Sequence, residues 1–326
     1  MDDIIWTKDD LRRSYDDIVR RGLSEEQYEA FRTSGHFGPD VVTQVTSGSS
    51  GGVPLLIPRS REDLADAYRR VLRAYQTAHH GAPARVALFG GVSHAQAAVR
   101  FTVEGTTFRS FGLDDLGGLI DFDPEFISCY PSIARELVGG SLPLHKVKAF
   151  KLGGERVFDA DVDSIVERWP GCLVIEQYGS TEMPAMAMGT YLEHGRVGLV
   201  LQVDRYDFLL DPNVVDWQPL IVRDKLKGRL FPIEKAYDTG DEVQVWGNML
   251  LNVRRRDDPA NDYADSVEVL LRAGCENVQF DLRNRTVRYS GRQELPSTVL
   301  VNGTSFAARR EPLRRLAGSN KLPLVL

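Results

Sequence analysis

Four short apolar runs, each stopping at glycines or a small polar cluster, most constrain how this chain can fold. Arg85-Val86-Ala87-Leu88-Phe89 ends at Gly90-Gly91, and Phe126-Ile127-Ser128-Cys129-Tyr130 ends at Pro131. Val147 to Leu152 ends at Gly153-Gly154-Glu155, and Cys172 to Gln177 ends at Tyr178-Gly179-Ser180-Thr181-Glu182. Runs this short and apolar at consecutive positions are those of strands buried on both faces. Helical stretches alternate with them: about Ala95 to Phe101, one opened by Pro131-Ser132-Ile133, and Asp161 to Trp169. The expectation is an α/β fold with mostly parallel strands and helices on both sides. Ligands of such sheets sit beyond the carboxyl ends of the strands, so the decorated strand ends are predicted to line one shared pocket.

A second feature precedes these runs. Thr46-Ser47-Gly48-Ser49-Ser50-Gly51-Gly52 is too rich in small residues to pack, but its backbone N–H groups and hydroxyls can wrap an anion. Val41–Val45 leads in and Leu55-Leu56-Ile57 leads out, so the segment reads as a strand–loop–strand hairpin. On its own it is equally a flexible linker. A P-loop is excluded because no Gly-Lys-Ser/Thr follows. Gly48-Ser49-Ser50-Gly51-Gly52 loosely fits a nucleophile elbow with Ser50 as nucleophile, yet an elbow needs a helix directly after the serine, and Val53-Pro54 begins an extended run.

Elsewhere, Asp9 to Arg32 carries apolar residues at helical spacing, with Ser24 and Gln27 as a capping box, and Ser60 caps a long helix running to about His79. After about Pro184 the runs shorten and alternate, as in antiparallel strands. A break near Trp246 to Arg256 sets off a small α+β tail, with a helix over Ser266–Ala273 and strands over Val278–Leu282 and Thr286–Tyr289. The formal charge of −6 argues against a nucleic-acid or anionic-membrane partner. Cys129, Cys172 and Cys275 lack metal-ligand spacing and read as reduced, buried thiols of a cytoplasmic protein. The N-terminus is charged, unlike a targeting segment, and no apolar run reaches membrane-spanning length.

The loop at Thr46, Gly153-Gly154-Glu155, Gln177-Tyr178-Gly179-Ser180-Thr181-Glu182 and Tyr237-Asp238-Thr239-Gly240-Asp241 follow one another in this order. Each is weak alone. Together they resemble the adenylate-forming superfamily of acyl-CoA synthetases, peptide-synthetase adenylation domains and luciferases. Their spacing, with Phe122 to Ser132, looks most like the phenylacetate–CoA ligase branch, and the resemblance covers roughly residues 41 to 256. It implies a large adenylation-type domain over 1–253, with layered, mostly parallel sheets and helices and an antiparallel, barrel-like part. A small, mobile α+β domain over 254–326 would follow.

It also implies roles. Thr46, Ser47, Gly48, Ser49, Ser50 and Gly51 would hold the ATP phosphates. Gly153, Gly154 and Glu155 would line the adenine pocket, Tyr178 would stack on adenine, and Gln177, Gly179 and Ser180 would also bind the nucleotide. Thr181 would bind the α-phosphate, Glu182 would coordinate Mg²⁺, and Asp241 and Arg254 would contact ribose. Lys321 is the late candidate for the lysine that contacts the reacting carboxylate. His94 and Tyr130 would face the acyl group. The implied reaction is ATP-dependent activation of a small aryl or simple carboxylic acid, then transfer to coenzyme A, a carrier thiol or an amine, by a monomer or homodimer. The alternatives are a non-catalytic nucleotide-binding relative and a serine hydrolase using Ser50. Three departures stand out: Leu55 follows Pro54 where the family has lysine, the N-terminal region is short, and Asp257–Asp262 lacks the family's glycine-containing loop.

Overall fold

A computed structural model describes residues 5–35, 37, 40–46, 53–90, 102–103, 105–192, 195–196, 198–211, 213–316 and 321–326. Five strands form a parallel block in the spatial order Thr106–Ser110, Arg85–Leu88, Phe126–Cys129, Ala149–Gly153, Leu173–Tyr178. The chain steps from Arg85–Leu88 to one side and then returns to the other, which makes that strand the topological switch point. Both faces are buried, as the continuous apolar runs require. Ile127, Phe150, Leu152 and Val174 pack under the helices Leu116–Phe122, Pro131–Gly139 and Asp159–Arg168. On the opposite face Val86, Leu88, Phe126 and Ile175 meet Val71, Leu72 and Tyr75 of the long helix Arg61–His79.

The parallel block and the antiparallel strands are one sheet. Leu173–Tyr178 pairs antiparallel with Ala187–Leu192, and the sheet continues through Leu199–Leu201, Met249–Arg255, Ala236–Trp246, Gln218–Asp224 and Tyr206–Phe208. The apparent break near Trp246 is the turn of a hairpin, so Met249–Arg255 remains in the large sheet. Short N-terminal helices, Lys8–Arg13, Tyr15–Gly22 and Glu25–Ser34, cover this half; Ser24 and Gln27 form the expected capping box. The strands Val41–Val45 and Leu56–Ser60 are a hairpin of their own, closed where Thr46 N donates to Leu55 O at 3.0 Å. Its outgoing arm is a strand, as read from Val53-Pro54, and not the helix an elbow needs.

The tail builds a separate sheet in the order Cys275–Asp281, Thr286–Gly291, Thr304–Arg310, Thr298–Val301, backed by the helix Ala264–Arg272. Its core of Val267, Val278, Phe280, Val287 and Phe306 also takes in Phe158, which belongs to the edge of the helix Asp159–Arg168. Asn277 Nδ2 donates to Ser132 O at 3.3 Å across the same boundary. No helix among the described residues is long and apolar enough to cross a membrane.

Candidate functional site

A cavity of about 360 Å³ opens at the carboxyl ends of the parallel strands, between the sheet and the long helix. Thr46, Tyr130, Gly153, Gly154, Gln177 and Gly179 line it, and so do Ser180, Thr181 and Lys321. Residues far apart in the sequence thus converge where the strand-end reading put them.

The glycines are there because nothing larger fits. A Cβ on Gly153 would lie 2.5 Å from Gln177 O, and one on Gly179 would lie 2.6 Å from Ala185 N. Gly154 has φ +81°, a left-handed backbone, and a Cβ there would meet the Tyr130 ring at 2.7 Å and Lys321 Cε at 3.4 Å. Glu155 turns away to a different task. Its carboxylate accepts from Ser132 N and Ser132 Oγ, both at 3.0 Å, at the start of the helix Pro131–Gly139. The residue before that helix, Tyr130, provides no side-chain cap, so Glu155 satisfies the orphan donor. The same carboxylate accepts from Leu322 N at 2.6 Å. Glu155 therefore ties the strand end, a helix start and the tail together.

That tie fixes Lys321. The tail is held further by Gln279 Nε2 donating to Pro323 O at 3.0 Å and Phe280 N to Leu324 O at 2.7 Å. The Lys321 ammonium lies 5.9 Å from the centre of the Tyr130 ring. Burial pushes its pKa down; the charges of Glu155, Glu182 and Asp241 oppose this and that of Lys8 reinforces it. Lys321 thus sits within electrostatic reach of the carboxylates that the motifs singled out.

Tyr178 and Asp241 meet directly. The phenol donates to Asp241 Oδ2 at 2.5 Å, and burial, with Asp241 beside it, raises the Tyr178 pKa well above its usual value. Arg255 Nη1 completes the group at 3.0 Å from Asp241 Oδ1. Arg254, the residue expected beside Asp241, is not brought to it. It lies on the opposite face of its strand, paired with Glu242 at 2.8 Å and stacked 4.1 Å from the Trp217 ring. The cause is a register shift at Gln244/Val245, which places Arg255 and not Arg254 across from Asp241.

Thr181 and Glu182 are held from beneath. Arg59 donates to both backbone carbonyls, and Arg229 Nη2 donates to Glu182 O at 2.8 Å. Both arginines are almost fully buried and are balanced by Asp63 and Asp224, with Arg205 bridging the two carboxylates. The Glu182 carboxylate is buried; Lys8 Nζ stands 3.1 Å from its Oε1, an atom that accepts no hydrogen bond. Among the described residues no cluster of three or more His, Cys, Asp or Glu side chains could enclose a metal. A single carboxylate suits the mode in which Mg²⁺ is otherwise held by phosphate oxygens and water; Glu182 is such a carboxylate, and a cation there would take the place of the Lys8 ammonium at Oε1.

Thr46 is buried, and its hydroxyl accepts from Leu55 N at 2.9 Å. Ser47, Gly48, Ser49, Ser50, Gly51 and His94 lie outside the described residues. Sequence reasoning passed over Lys8, Arg59, Arg229, Arg255 and Lys151, the last a cavity-lining residue of the strand Ala149–Gly153. Only Lys151 carried a signal, as a charge inside an otherwise apolar strand.

No protein-family model and no curated protein matches the sequence. Solved structures do. A crystal structure of 2-hydroxyisobutyryl-CoA ligase in the postadenylation state, in complex with R3-HIB-AMP, aligns with a TM-score of 0.57 at 15% identity, over 88% of this chain and 68% of that one. The same ligase in complex with 2-HIB-AMP and CoA in the thioesterification state gives 0.54 at 16% identity, over 88% and 69%. The chain shares the fold of this CoA ligase. It spans about two-thirds of the length of that ligase.

Proposed function

We propose that this chain activates a small carboxylic acid with ATP, forming an acyl-adenylate and releasing pyrophosphate. One observation carries the reading: Lys321, Thr181 and Tyr130, from distant parts of the sequence, line one cavity at the sheet's switch point, with Glu182 and Asp241 within electrostatic reach of Lys321. In the proposed step a carboxylate oxygen of the acid attacks the α-phosphorus. A new P–O bond forms, and the bond to the bridging oxygen breaks so that pyrophosphate leaves with its electron pair. The Lys321 ammonium neutralises charge gathering between the carboxylate and the α-phosphate, and Thr181 orients that phosphate. Asp241, held by Tyr178 and Arg255, accepts from ribose hydroxyls. Glu182 would hold Mg²⁺, which when bound supplies charge neutralisation on the phosphates.

The acid's body would occupy the apolar part of the cavity against Tyr68, Leu72, Phe108 and Phe126, which suits an aryl or simple aliphatic group. Transfer to coenzyme A, a carrier thiol or an amine is the second half of the proposal, as is the phenylacetate–CoA ligase-like branch. Acid-dependent ATP–pyrophosphate exchange tests the first half. Exchange should fall by about 100-fold or more in Glu182→Ala and in Lys321→Ala. Exchange at the wild-type rate in both variants would remove this mechanism.

A further inference from the structure

Lys151 is the unexplained charge of the cavity. It belongs to the strand Ala149–Gly153 and stands opposite Ser128 in the parallel register. Phe150 and Leu152 on either side point into the core of the opposite face, so Lys151 shares the cavity face with Gly153. Its Nζ lies 3.3 Å from where a Cβ of Gly153 would be. The part of the cavity beyond it is lined by Val86, Leu88, Phe108, Phe126 and, from the long helix, Tyr68 and Leu72, while Ser128 and Gln177 add polar atoms to the lining. Among the described residues no carboxylate pairs with it and no group accepts its hydrogen bonds. Cys129, its nearest ionisable neighbour in the strand alongside, is itself held neutral, because burial raises its thiol pKa far above the usual value.

An ammonium facing an apolar chamber without a counter-charge is costly unless a ligand supplies one. Burial lowers the Lys151 pKa to about 8, with Cys129 opposing and the like charge of Lys321 adding to it. That is the behaviour of a cation whose partner has yet to arrive. Three acceptors would satisfy it, and a single anionic group supplies both the acceptors and the charge.

We propose that Lys151 selects an acid bearing a second anionic group, a dicarboxylic acid, by pairing with one carboxylate while the other reacts beside Lys321. The inference rests on the adenylation reading and names its substrate class. The two cations flank consecutive glycines, Lys151 at Gly153 and Lys321 at Gly154, and consecutive Cα atoms lie about 3.8 Å apart. The two lysines thus reach neighbouring points on one wall of the cavity, where a single small diacid can meet both.

The test is pyrophosphate exchange with matched pairs: succinate against butyrate, glutarate against pentanoate, 2-carboxyphenylacetate against phenylacetate, and 3-hydroxybutyrate as a neutral acceptor. The wild type should prefer at least one diacid to its partner by about 10- to 100-fold in kcat/KM, the value of a charge-assisted hydrogen bond. Lys151→Met should erase that preference through the KM of the diacid, leaving the monoacid and the KM for ATP unchanged. Lys151→Gln serves if the methionine variant does not fold, and the wild-type comparison needs no variant. Monoacids or the hydroxy acid turned over as well as the diacids, or a preference that survives both substitutions, overturns the role of Lys151 and leaves adenylation standing. Exchange with no acid at all overturns the adenylation reading, and this inference with it.

Discussion

Arg59→Met removes the side chain on which the Thr181–Glu182 turn rests. The guanidinium donates to Asp63 Oδ2 at 2.5 Å, Gln44 Oε1 at 3.3 Å, Glu182 O at 3.2 Å and Thr181 O. It is 1% exposed, so water cannot replace it. Its loss leaves the Thr181 carbonyl without this donor, the Glu182 carbonyl with Arg229 alone, and Asp63 short of one counter-charge. Breaking a buried pair from one side costs about 3–5 kcal/mol, a large share of the roughly 5–15 kcal/mol that holds a typical domain. Guanidinium unfolding followed by tryptophan fluorescence should show a loss of this size. Exchange kcat should fall by at least about 10-fold at temperatures where the variant is still folded. Removing the other partner as well, in Arg59→Met/Asp63→Leu, should restore only part of the stability, because Asp63 also balances Arg205 and Arg229. A loss below about 1 kcal/mol would refute the energetic argument. Full destabilisation with unchanged kcat would refute the positioning role.

Three further outcomes follow from the same geometry. Glu155→Ala frees the tail and leaves Ser132 N, Ser132 Oγ and Leu322 N without their acceptor; limited proteolysis should cut near Lys321 faster, and exchange should drop toward that of Lys321→Ala. Gly154→Ala combines a left-handed backbone with a Cβ 2.7 Å from Tyr130, so chemical denaturation should report a loss of about 1–3 kcal/mol. Burial would raise the Asp63 pKa, but Arg59, Arg229 and Arg205 outweigh it and hold the carboxyl well below its usual range. A carboxylate lowered in the folded state adds stability above its unfolded pKa of about 3.9 and loses it as pH falls through the folded value. Asp63→Asn should therefore flatten the stability–pH curve below about pH 4, measured by thermal unfolding across an acid series.

The parallel block was legible because strands buried on both faces must be apolar throughout, and the strand-end glycines because only they permit the close approaches at Gly153, Gly154 and Gly179. The loop hairpin was legible from the arms Val41–Val45 and Leu55–Ile57, which the structure pairs. The arginine that meets Asp241 was not. Counting back from the turn at Gly247-Asn248 without a bulge sets Asp241 opposite Arg254. The structure skips Leu251 at the register shift and sets Arg255 there instead, and one residue in a strand reverses the face. The contacts of Arg59, Arg229 and Lys8 with the Thr181–Glu182 turn stayed hidden because they join residues far apart in sequence, so no local spacing marks them. The final strands escaped because Thr298–Val301 is only four residues long and leaves Leu300 exposed, and Thr304–Arg310 buries only Phe306, so neither shows an alternating pattern.

Phe158 gives the small tail unit a threshold for leaving its seat. The ring is 6% exposed and sits among Val267, Val278 and Phe280, side chains of that unit. Re-exposing one such ring costs about 1.5–3 kcal/mol before any hydrogen bond is broken. At equilibrium that alone keeps undocked molecules to roughly one in ten to one in a hundred. Any event that needs the tail elsewhere must draw on this minority or bind tightly enough to enlarge it. Trimming the ring with Phe158→Ala removes that share of the threshold and should raise the unseated fraction by about 10- to 100-fold, while the hydrogen bonds from Leu322 N to Glu155 and from Asn277 to Ser132 still hold the unit; single-molecule distance measurements would read the change.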